Sequence, residues 1–519
     1  MKKIAFILLS LIVSGLKAQT FWTGTSYKGA FPVTNGTPST DWTYGWSNFD
    51  PENTNYPNTT TTLSSDVTSN TTLSGVVLLQ NKIYVKNNST LTILPGTIIR
   101  GDYSTQGTLI VTKGSKIIAD GTISSPIVFT SNEDIGNRAE GDWGGLVILG
   151  QAVNNQPGGL ANIEGISPTS NTEYGGSNDQ DNSGVLRYVR VEFAGIPLEP
   201  NKEINGITFG SVGSGTNVDY VQVSFSGDDS FEWFGGTVNC KHLIAYKGID
   251  DDFDTDFGYR GKVQFGLAVR DNTRYDAPGD SNCFESDNDA TGSGNFPQTS
   301  AIFSNFTIVG PLGDGAQTLP IGEKFEKAFR IRRNSSISVF NSLVTGWEKG
   351  LSIEGTATEA NVISGNLVFS NNVLSNVPSD CVTAQSSFYT FFSTNQNDST
   401  TTVGDINWVN IFSQNIDARL NANSVAATGA DFSNTKFGGE VGVYEVFSNH
   451  NVDIYPNPTT SVLNVKSDGK INISLYNSYG QLVINEQSYR FSQIEVSQLP
   501  TGIYTLLINN QISKKVLIQ

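Results

Sequence analysis

Apolar and polar residues alternate in short runs along most of the chain. Between residues 82 and 131, the runs KIYVKNNSTLTILPG, GTLIVTKGSKIIADG and SPIVFTS each alternate and then break at Gly, Pro, Asn or Asp. Alternation with a period of two is typical of strands with one buried face, and the breaking residues are those found in turns. Stretches with helical periodicity are few, so the pattern predicts an all-β protein.

The alternation also repeats from one segment to another. LRYVRVEFAGI (186–196) aligns with VDYVQVSFSGD (218–228) and CKHLIAYKGID (240–250), at offsets of 32 and 22 residues. Repetition at such spacings indicates a solenoid of stacked rungs. We therefore predict a right-handed parallel β-helix over residues 71–447. A β-propeller is the alternative, and it would need a more regular period of about 40.

The alignment assigns side chains to columns that run across the rungs. Two aliphatic columns point inward by the alternation: Val189, Val221, Leu243 and Val191, Val223, Ala245. A further ladder puts one aromatic residue inward and one charged residue outward on each rung: Phe231-Glu232, Phe253-Asp254, Phe284-Glu285 and Phe329-Arg330. The outward carboxylates of this ladder would then lie about 4.8 Å apart, which is destabilising unless something compensates their charge.

Aromatic side chains form another outward column. Tyr188, Tyr220 and His242 align with one another, and Tyr246 lies in a neighbouring outward column. Such a ladder can hold a polysaccharide by ring stacking, and it can equally stabilise the surface of a β-helix. These four residues are the candidate ligand-binding residues. His242 is the only histidine before residue 450, which excludes a Ser-His-Asp triad and a histidine-rich zinc site.

The N-terminus predicts export. Two lysines precede an apolar run from Ile4 to Val13, and small or polar residues follow, so residues 1–18 read as a secretory signal peptide. We expect no transmembrane segment in the mature chain. Residues 19–70 are rich in aromatic and turn residues, and we expect them to cap the first rung, with Trp22, Trp42 and Trp46 packed. Stacking of these tryptophans on sugar rings is the alternative.

Residues 448–519 read as a small Ig-like antiparallel β-sandwich. They contain, in order, YPNP, LYNSYGQLV, LPTGIYTLLI and a basic terminus, KKVLIQ. This series resembles the C-terminal sorting domain of type IX secretion cargo of Gram-negative bacteria. An unrelated Ig-like binding module is the alternative. The residues that carry the resemblance are Tyr455, Pro456, Asn457, Pro458, Gly502, Tyr504, Lys514 and Lys515.

The resemblance implies recognition by the type IX translocon. The family's sorting domain is removed, and the passenger is then released or attached to surface lipopolysaccharide. The protein is therefore expected to be secreted or held on the outer cell surface.

Net charge and cysteine content argue against certain partners and against a disulfide scaffold. The net charge of −17 argues against nucleic acid and anionic lipid as partners. Three cysteines, Cys240, Cys283 and Cys381, are too few for a disulfide scaffold. We expect buried thiols, with a Cys240–Cys283 bridge as the lesser alternative.

Carboxylates concentrate in one region. Residues 228–289 hold fourteen Asp or Glu and six Lys or Arg, and five aspartates lie in GIDDDFDTDFGYRG (248–261). Three explanations are open: calcium binding, pairing with nearby arginines, or protonation with raised pKa values. Calcium is the one cofactor that these residues suggest. Its candidate ligands are Asp250, Asp251, Asp252, Asp254 and Asp256.

The passenger resembles a widespread group of exported bacterial β-helix proteins of unestablished activity. The resemblance rests on NEDIG (132–136), EGDWGGLVILG (140–150), VLRYVRVEFAG (185–195) and DDDFDTDFGYRGKVQFG (250–266). It implies the fold and the extracellular location. We accordingly expect a surface protein that binds a glycan or a partner surface.

The alternative is a calcium-dependent polysaccharide lyase or a glycoside hydrolase. Pectate-lyase-like enzymes use an Arg or Lys as base, and polygalacturonase-like enzymes use clustered aspartates. GDD at 227–229 resembles part of the latter site, but the accompanying Asn-Thr-Asp, Gly-His-Gly and Arg-Ile-Lys motifs are absent from the sequence. The candidate catalytic residues are Asp228, Asp229, Asp251, Asp252, Arg260 and Arg270, with Lys247 as a further candidate base.

Overall fold

The computed structural model describes residues 21–199, 202–382, 391–438, 453–477, 482–508 and 512–519. The predicted signal peptide lies outside these residues. Within the described part, no helix is long and apolar enough to span a membrane.

Two large parallel sheets form the body of the protein. The first has ten strands, which pair in this order: Lys82–Val85, Thr108–Val111, Gly145–Leu149, Ile207–Gly210, Phe231–Phe234, Phe253–Asp256, Phe284–Ser286, Lys327–Ile331, Lys349–Ile353 and Ser379–Val382. Successive strands of this sheet come from successive rungs of the chain, and each pair is parallel.

The second sheet has sixteen strands. Its main path runs through Thr61–Leu63, Val76–Leu79, Ile98–Gly101, Ile127–Ser131, Gly184–Glu192, Asn217–Ser224, Asn239–Tyr246, Lys262–Val269, Ile302–Val309, Ser338–Phe340 and Phe369–Ser370. The strands beside this path are Thr71–Leu73, Thr90–Ile93, Lys116–Asp120, Leu343–Thr345 and Val373–Ser375. The chain alternates between the two sheets, which confirms the predicted parallel β-helix and excludes the propeller. The first strand of the second sheet, Thr61–Leu63, lies within residues 19–70, the segment predicted as a cap.

The long strands of the second sheet bend at one residue each. The pairing register skips Tyr188, Tyr220, His242, Phe265 and Asn305, whose φ angles lie between 49° and 66°. This left-handed backbone disfavours most residues other than glycine, so the bend must be stabilised by contacts. The four aromatic rings supply them by stacking from rung to rung, and Asn305 accepts a hydrogen bond from the Gln264 amide. The bend divides the sheet into two faces, which gives the solenoid three faces in all.

The core consists of the predicted inward columns. Val189 pairs with Val221, Val221 pairs with Leu243, and all three are fully buried. In the first sheet, Phe253 and Phe284 are register partners whose ring centroids lie 5.0 Å apart. Phe231 and Phe329 continue this column at either side. Alternation with a period of two therefore placed the core correctly.

The N-terminal segment runs along the side of the solenoid. Residues 21–57 contact late, middle and early rungs in turn. Gly29 donates its N–H to Asn341 O on a late rung, and Asn48 donates its N–H to Gln222 Oε1 on a middle rung. Pro57 O then accepts from Arg100 on an early rung. We call this segment the side strap.

The tryptophans of the side strap pack against the solenoid. Trp22, Trp42 and Trp46 are 1%, 5% and 1% exposed. Trp46 lies edge-on to Tyr188 and Tyr220, with centroid distances of 5.9 and 6.0 Å. Packing, and not sugar stacking, therefore explains these three residues.

Short elements complete the β-helix region. Among the described residues, the elements with given bounds include the helices Thr356–Ile363 and Val403–Ile406 and the 3₁₀ turns Pro38–Thr40, Pro51–Asn53, Pro157–Gly159, Val425–Ala427 and Thr435–Phe437. Three antiparallel hairpins pair Ala161–Asn162 with Glu173–Tyr174, Pro197–Glu199 with Lys202–Glu203, and Trp408–Asn410 with Asp417–Leu420. The last hairpin meets the side strap, because Thr34 donates its N–H to Leu420 O.

The C-terminal part forms a five-stranded antiparallel sheet. Its strands are Asp453–Tyr455, Val462–Tyr476, Leu482–Glu495, Gly502–Ile508 and Ile512–Ile518. Asn457 joins the YPNP turn to the last strand, since its side chain donates to Lys515 O and accepts from the N–H of Leu517. Tyr504 is buried and donates its hydroxyl to Pro500 O. The sequence motifs thus meet in one folded unit.

Removing an anchor of the side strap should destabilise the protein. We expect Trp46→Ala to cost about 3–5 kcal/mol, because it deletes a buried ring from a packed interface. Tyr44→Ala, in the same segment but 59% exposed, should change stability by less than about 0.5 kcal/mol. Urea unfolding and limited proteolysis of residues 21–57 measure both effects. Equal unfolding midpoints and proteolysis rates for the two variants would contradict the packing described.

Candidate metal centre

A column of carboxylates crosses the outer side of the ten-stranded sheet. Glu232 is the register partner of Asp254, and Asp254 is the partner of Glu285. Arg330 follows on the next strand. Since neighbouring strands lie about 4.8 Å apart, three like charges occupy adjacent rungs. The structure thus contains the unfavourable column that the sequence register predicts.

A second row of acidic side chains lies where these strands begin. Asp229 Oδ1 accepts the N–H of Asp251 at 2.9 Å. Asp251 Oδ1 in turn accepts the N–H of Asn282 at 2.6 Å, and Asn282 Oδ1 accepts the N–H of Lys327 at 3.2 Å. Each residue of this row therefore accepts a hydrogen bond from the backbone of the next rung. One oxygen of Asp229 and one of Asp251 serve this structural role.

The five carboxylates of the two rows join Asp228 and Asp250 in one cluster of seven. Three groups of three residues each place their ligand atoms within 4.8 Å of one another: Asp228, Asp229 and Asp250; Asp229, Glu232 and Asp254; Asp251, Asp254 and Glu285. Asp229 and Asp254 each belong to two groups, so the groups are continuous. We call these seven residues the acidic cluster. Each group offers enough carboxylates to share one metal ion.

Burial and repulsion between like charges both raise pKa values in the acidic cluster. Burial, followed by the charges of Glu232 and Glu285, raises the pKa of Asp254 well above its usual value. Burial, followed by Asp250 and Asp228, does the same to the pKa of Asp229. Asp254 Oδ1 is buried and has no hydrogen-bond partner among the described residues. A bound proton or a cation is needed to compensate these groups.

Pairing with arginine compensates the charge of only some carboxylates in the acidic cluster. Arg332 and Arg330 pair with Glu285 at one end of the cluster. Toward the middle, the described residues include no Lys or Arg within 4.0 Å of Glu232 or Asp254. The amide of Asn205 donates to Glu232, but it brings no charge. Of the three explanations raised by the sequence, arginine pairing therefore fails at Glu232 and Asp254.

The predicted calcium ligands divide into two sets. Asp250, Asp251 and Asp254 belong to the acidic cluster. Asp252 instead pairs with Arg270 at 3.0 Å, and both side chains are fully buried. Asp256 accepts the N–H of Phe257 and lies in none of the three groups. Glu232 and Glu285 join the cluster because strand register, and not proximity in the sequence, brings them together.

The candidate bases are all engaged. Arg270 binds Asp252 and donates to the carbonyl oxygens of Gly248, Asp250 and Asn282. Arg260 pairs with Asp179 at 2.6 Å, and Lys247 lies 3.4 Å from Asp271. Each of the three side chains is therefore held in an ion pair with a carboxylate.

The predicted aromatic ladder forms but is covered. Ring centroids are 4.5 Å apart between Tyr188 and Tyr220, and 4.3 Å apart between Tyr220 and His242. His242 is 2% exposed beneath Trp42, and its Nδ1 lies 2.7 Å from Asp219 Oδ1. Tyr246 is 3% exposed. The ladder therefore packs beneath the side strap, with His242 buried and Tyr188 and Tyr220 half-buried. Its role in ligand binding stays a prediction from the sequence.

The cysteines are free thiols. Cys240 and Cys283 are buried and Cys381 is partly buried, and none forms a disulfide. Burial raises the pKa of the Cys240 and Cys283 thiols well above the usual range. Such thiols stay protonated, so nucleophilic chemistry at these positions is disfavoured.

Breaking the buried Arg270–Asp252 pair should be costly. Arg270→Met leaves the Asp252 carboxylate buried without its counter-charge, and we expect a loss of about 3–5 kcal/mol. The double variant Arg270→Met/Asp252→Leu should recover part of this loss. Arg187→Ala breaks an exposed pair with Asp120 and should cost less than about 1 kcal/mol. Urea unfolding compares the three, and equal losses for both single variants would contradict the role given to Arg270.

The acidic cluster should make stability depend on pH in the absence of metal. The folded pKa values of six of its carboxyl groups lie above those of the unfolded chain, which are about 4, so the folded state binds more protons. These six are Asp229, Glu232, Asp250, Asp251, Asp254 and Glu285. The cluster's contribution to stability is then complete below about pH 4 and is lost as pH rises through the folded pKa values.

The test compares metal-free wild type with Glu232→Gln/Asp254→Asn by urea unfolding at pH 4, 6 and 8. We expect the variant to gain stability relative to wild type with rising pH, by more than about 1.4 kcal/mol, the equivalent of one pKa unit. A constant difference between the two proteins would contradict the raised pKa values.

Comparison with known protein families agrees with this architecture. Residues 61–440 match the pectate-lyase-like β-helix domain, and residues 453–519 match the secretion system C-terminal sorting domain. No curated protein matches the chain. The sorting domain identifies the protein as secretion cargo that is exported to the cell surface or the extracellular space. The chain belongs to the pectate-lyase-like β-helix domain family, and it carries the sorting domain of type IX secretion cargo at its C-terminus.

Proposed function

We propose that this exported protein binds calcium in the acidic cluster and, through the bound ions, an acidic extracellular polysaccharide. The supporting observation is the cluster itself: seven carboxylates in three continuous groups, with no Lys or Arg within 4.0 Å of Glu232 or Asp254 among the described residues. The alternatives of release and attachment to lipopolysaccharide stay predictions from the sequence.

Calcium suits this donor set by its chemistry. It is a hard cation that takes six to eight oxygen ligands, and carboxylates are its main protein ligands. Because their pKa values are raised, the carboxyl groups of Asp229, Glu232 and Asp254 hold protons in the absence of metal. An ion bound by this group would replace those protons. Calcium binding should therefore release protons and weaken as the pH falls.

The number of ligands provides the link to a polysaccharide. Three carboxylates supply between three and six oxygens, so an ion held by one group keeps coordination positions for water or for another carboxylate. A uronate could fill such a position. Without cations, the acidic cluster would repel the same polymer. Binding of an acidic glycan should therefore depend on calcium.

Binding is better supported than catalysis. A lyase needs an Arg or Lys free to take a proton, whereas Arg260, Arg270 and Lys247 are each held by a carboxylate. A hydrolase needs one carboxylate to protonate the leaving group and another to activate water. Asp229 and Asp251 each give one oxygen to the backbone of the next rung. The enzymatic alternative predicts cleavage of the polymer, which the experiment below detects.

Thermal unfolding in calcium and in chelator tests the metal site. We expect calcium to raise the unfolding temperature of the wild type, since a ligand at 100 times its Kd stabilises the folded state by about 2.7 kcal/mol. Glu232→Gln/Asp254→Asn should lose this response. Asp120→Asn, which changes an acidic residue outside the cluster, should keep it. An unchanged unfolding temperature in wild type would refute calcium binding.

Binding of polygalacturonate, an acidic polysaccharide, tests the second part of the proposal. Isothermal titration should show binding in calcium and none in chelator, and the double variant should not bind. Chain length of the polymer is measured in the same samples. Unchanged length supports a binding protein, whereas shortened chains in calcium would favour the lyase or hydrolase. Binding that persists in chelator would contradict the calcium bridge.

A further inference from the structure

A cavity of about 360 Å³ lies outside the acidic cluster. It is found where the strands Asn239–Tyr246, Lys262–Val269 and Ile302–Val309 end. Loop residues 310–317 and 411–416 contribute its other walls. Its volume falls within the range of about 300–1,000 Å³ that is usual for small-molecule sites. None of the seven residues of the acidic cluster lines it.

One wall of the cavity is apolar and carries an aromatic ring. Val309 and Ile411 are buried beneath it. Phe412 is 42% exposed, and its ring is held edge-on by Trp408 at a centroid distance of 5.8 Å. Phe412 thus presents a fixed, partly exposed apolar surface, and Trp408 holds that surface in place without a ligand.

The other wall is polar. The Asn272 amide donates to Thr318 O at 3.0 Å and lies 3.5 Å from Gln317 Oε1, so the two side chains come together at the rim. Asp314 and Gln317 belong to the exposed loop. Side-chain amides and carboxylates of this kind accept hydrogen bonds from hydroxyl groups and can hold them in fixed directions.

The charges of the lining exclude a strongly anionic ligand. Lys247 is neutralised by Asp271 at 3.4 Å, and Arg270 is neutralised by Asp252. Asp314 adds a negative charge. The cavity therefore has no excess positive charge with which to attract a carboxylate or phosphate. A neutral ligand with many hydroxyl groups suits it better.

We infer that this cavity binds a neutral sugar unit of an extracellular polysaccharide. Phe412 packs against the C–H face of the sugar ring, and Asp314, Gln317 and Asn272 hydrogen-bond its hydroxyls. This site needs no cation, which distinguishes it from the acidic cluster. Tyr246, which the sequence alone marks as a ligand-binding residue, lines the cavity.

Defined neutral hexasaccharides test the inference. Cellohexaose, laminarihexaose, mannohexaose and xylohexaose are titrated into the full protein in chelator, with isothermal titration and saturation-transfer NMR as readouts. We expect at least one of them to bind. Phe412→Ala and Gln317→Ala should each weaken that binding, the former by about tenfold, as is common for an aromatic at the centre of a binding site.

Controls separate this site from other surfaces of the protein. Phe296→Ala removes a ring that is 81% exposed outside the cavity, and it should leave binding unchanged. Glu232→Gln/Asp254→Asn should also leave it unchanged. Thermal unfolding confirms that each variant is folded. The inference is overturned if none of the four sugars binds, if binding needs calcium, or if Phe412→Ala and Gln317→Ala bind as tightly as wild type.

Discussion

The parallel rungs of this solenoid pair in register, and both the core and the acidic cluster follow from that pairing. In-register pairing places each residue directly beneath its counterpart on the next strand. Residues of the same type at equivalent positions of successive rungs therefore form a column. Phe231, Phe253 and Phe284 become a buried stack by this rule. The residues that follow them, Glu232, Asp254 and Glu285, become a row of like charges on the outer side. The same pairing that builds the core thus concentrates the carboxylates.

The buried arginine links the acidic cluster to the neighbouring cavity. Arg270 donates to the carbonyl oxygens of Gly248 and Asp250, and so fixes the turn between the two sheets. Tyr246 and Lys247 lie before this turn and line the cavity, whereas Asp250 and Asp251 lie after Gly248 and belong to the cluster. Removing Arg270 would therefore disturb both features, which is why it serves poorly as a test of either.

The sequence predicts the columns well and the surroundings of each column poorly. Alternation along each strand shows which side chains point inward, and the offsets between segments show which residues pair. Together they were enough to place Val189, Val221 and Leu243 in the core. They could not place the side strap, because no local pattern says which surface Trp42 and Trp46 will cover. Nor could they separate Asp252 from Asp254: the difference depends on Arg270, which lies 18 residues further along the chain from Asp252.

An anomalous difference map from crystals grown with terbium in place of calcium would show whether the acidic cluster binds a metal ion. Terbium is a trivalent ion with similar oxygen preferences and a strong anomalous signal. We expect a peak among the side chains of Asp229, Glu232 and Asp254, with oxygen atoms of all three as ligands. A map with no peak in the acidic cluster, or with peaks only at other sites, would contradict it.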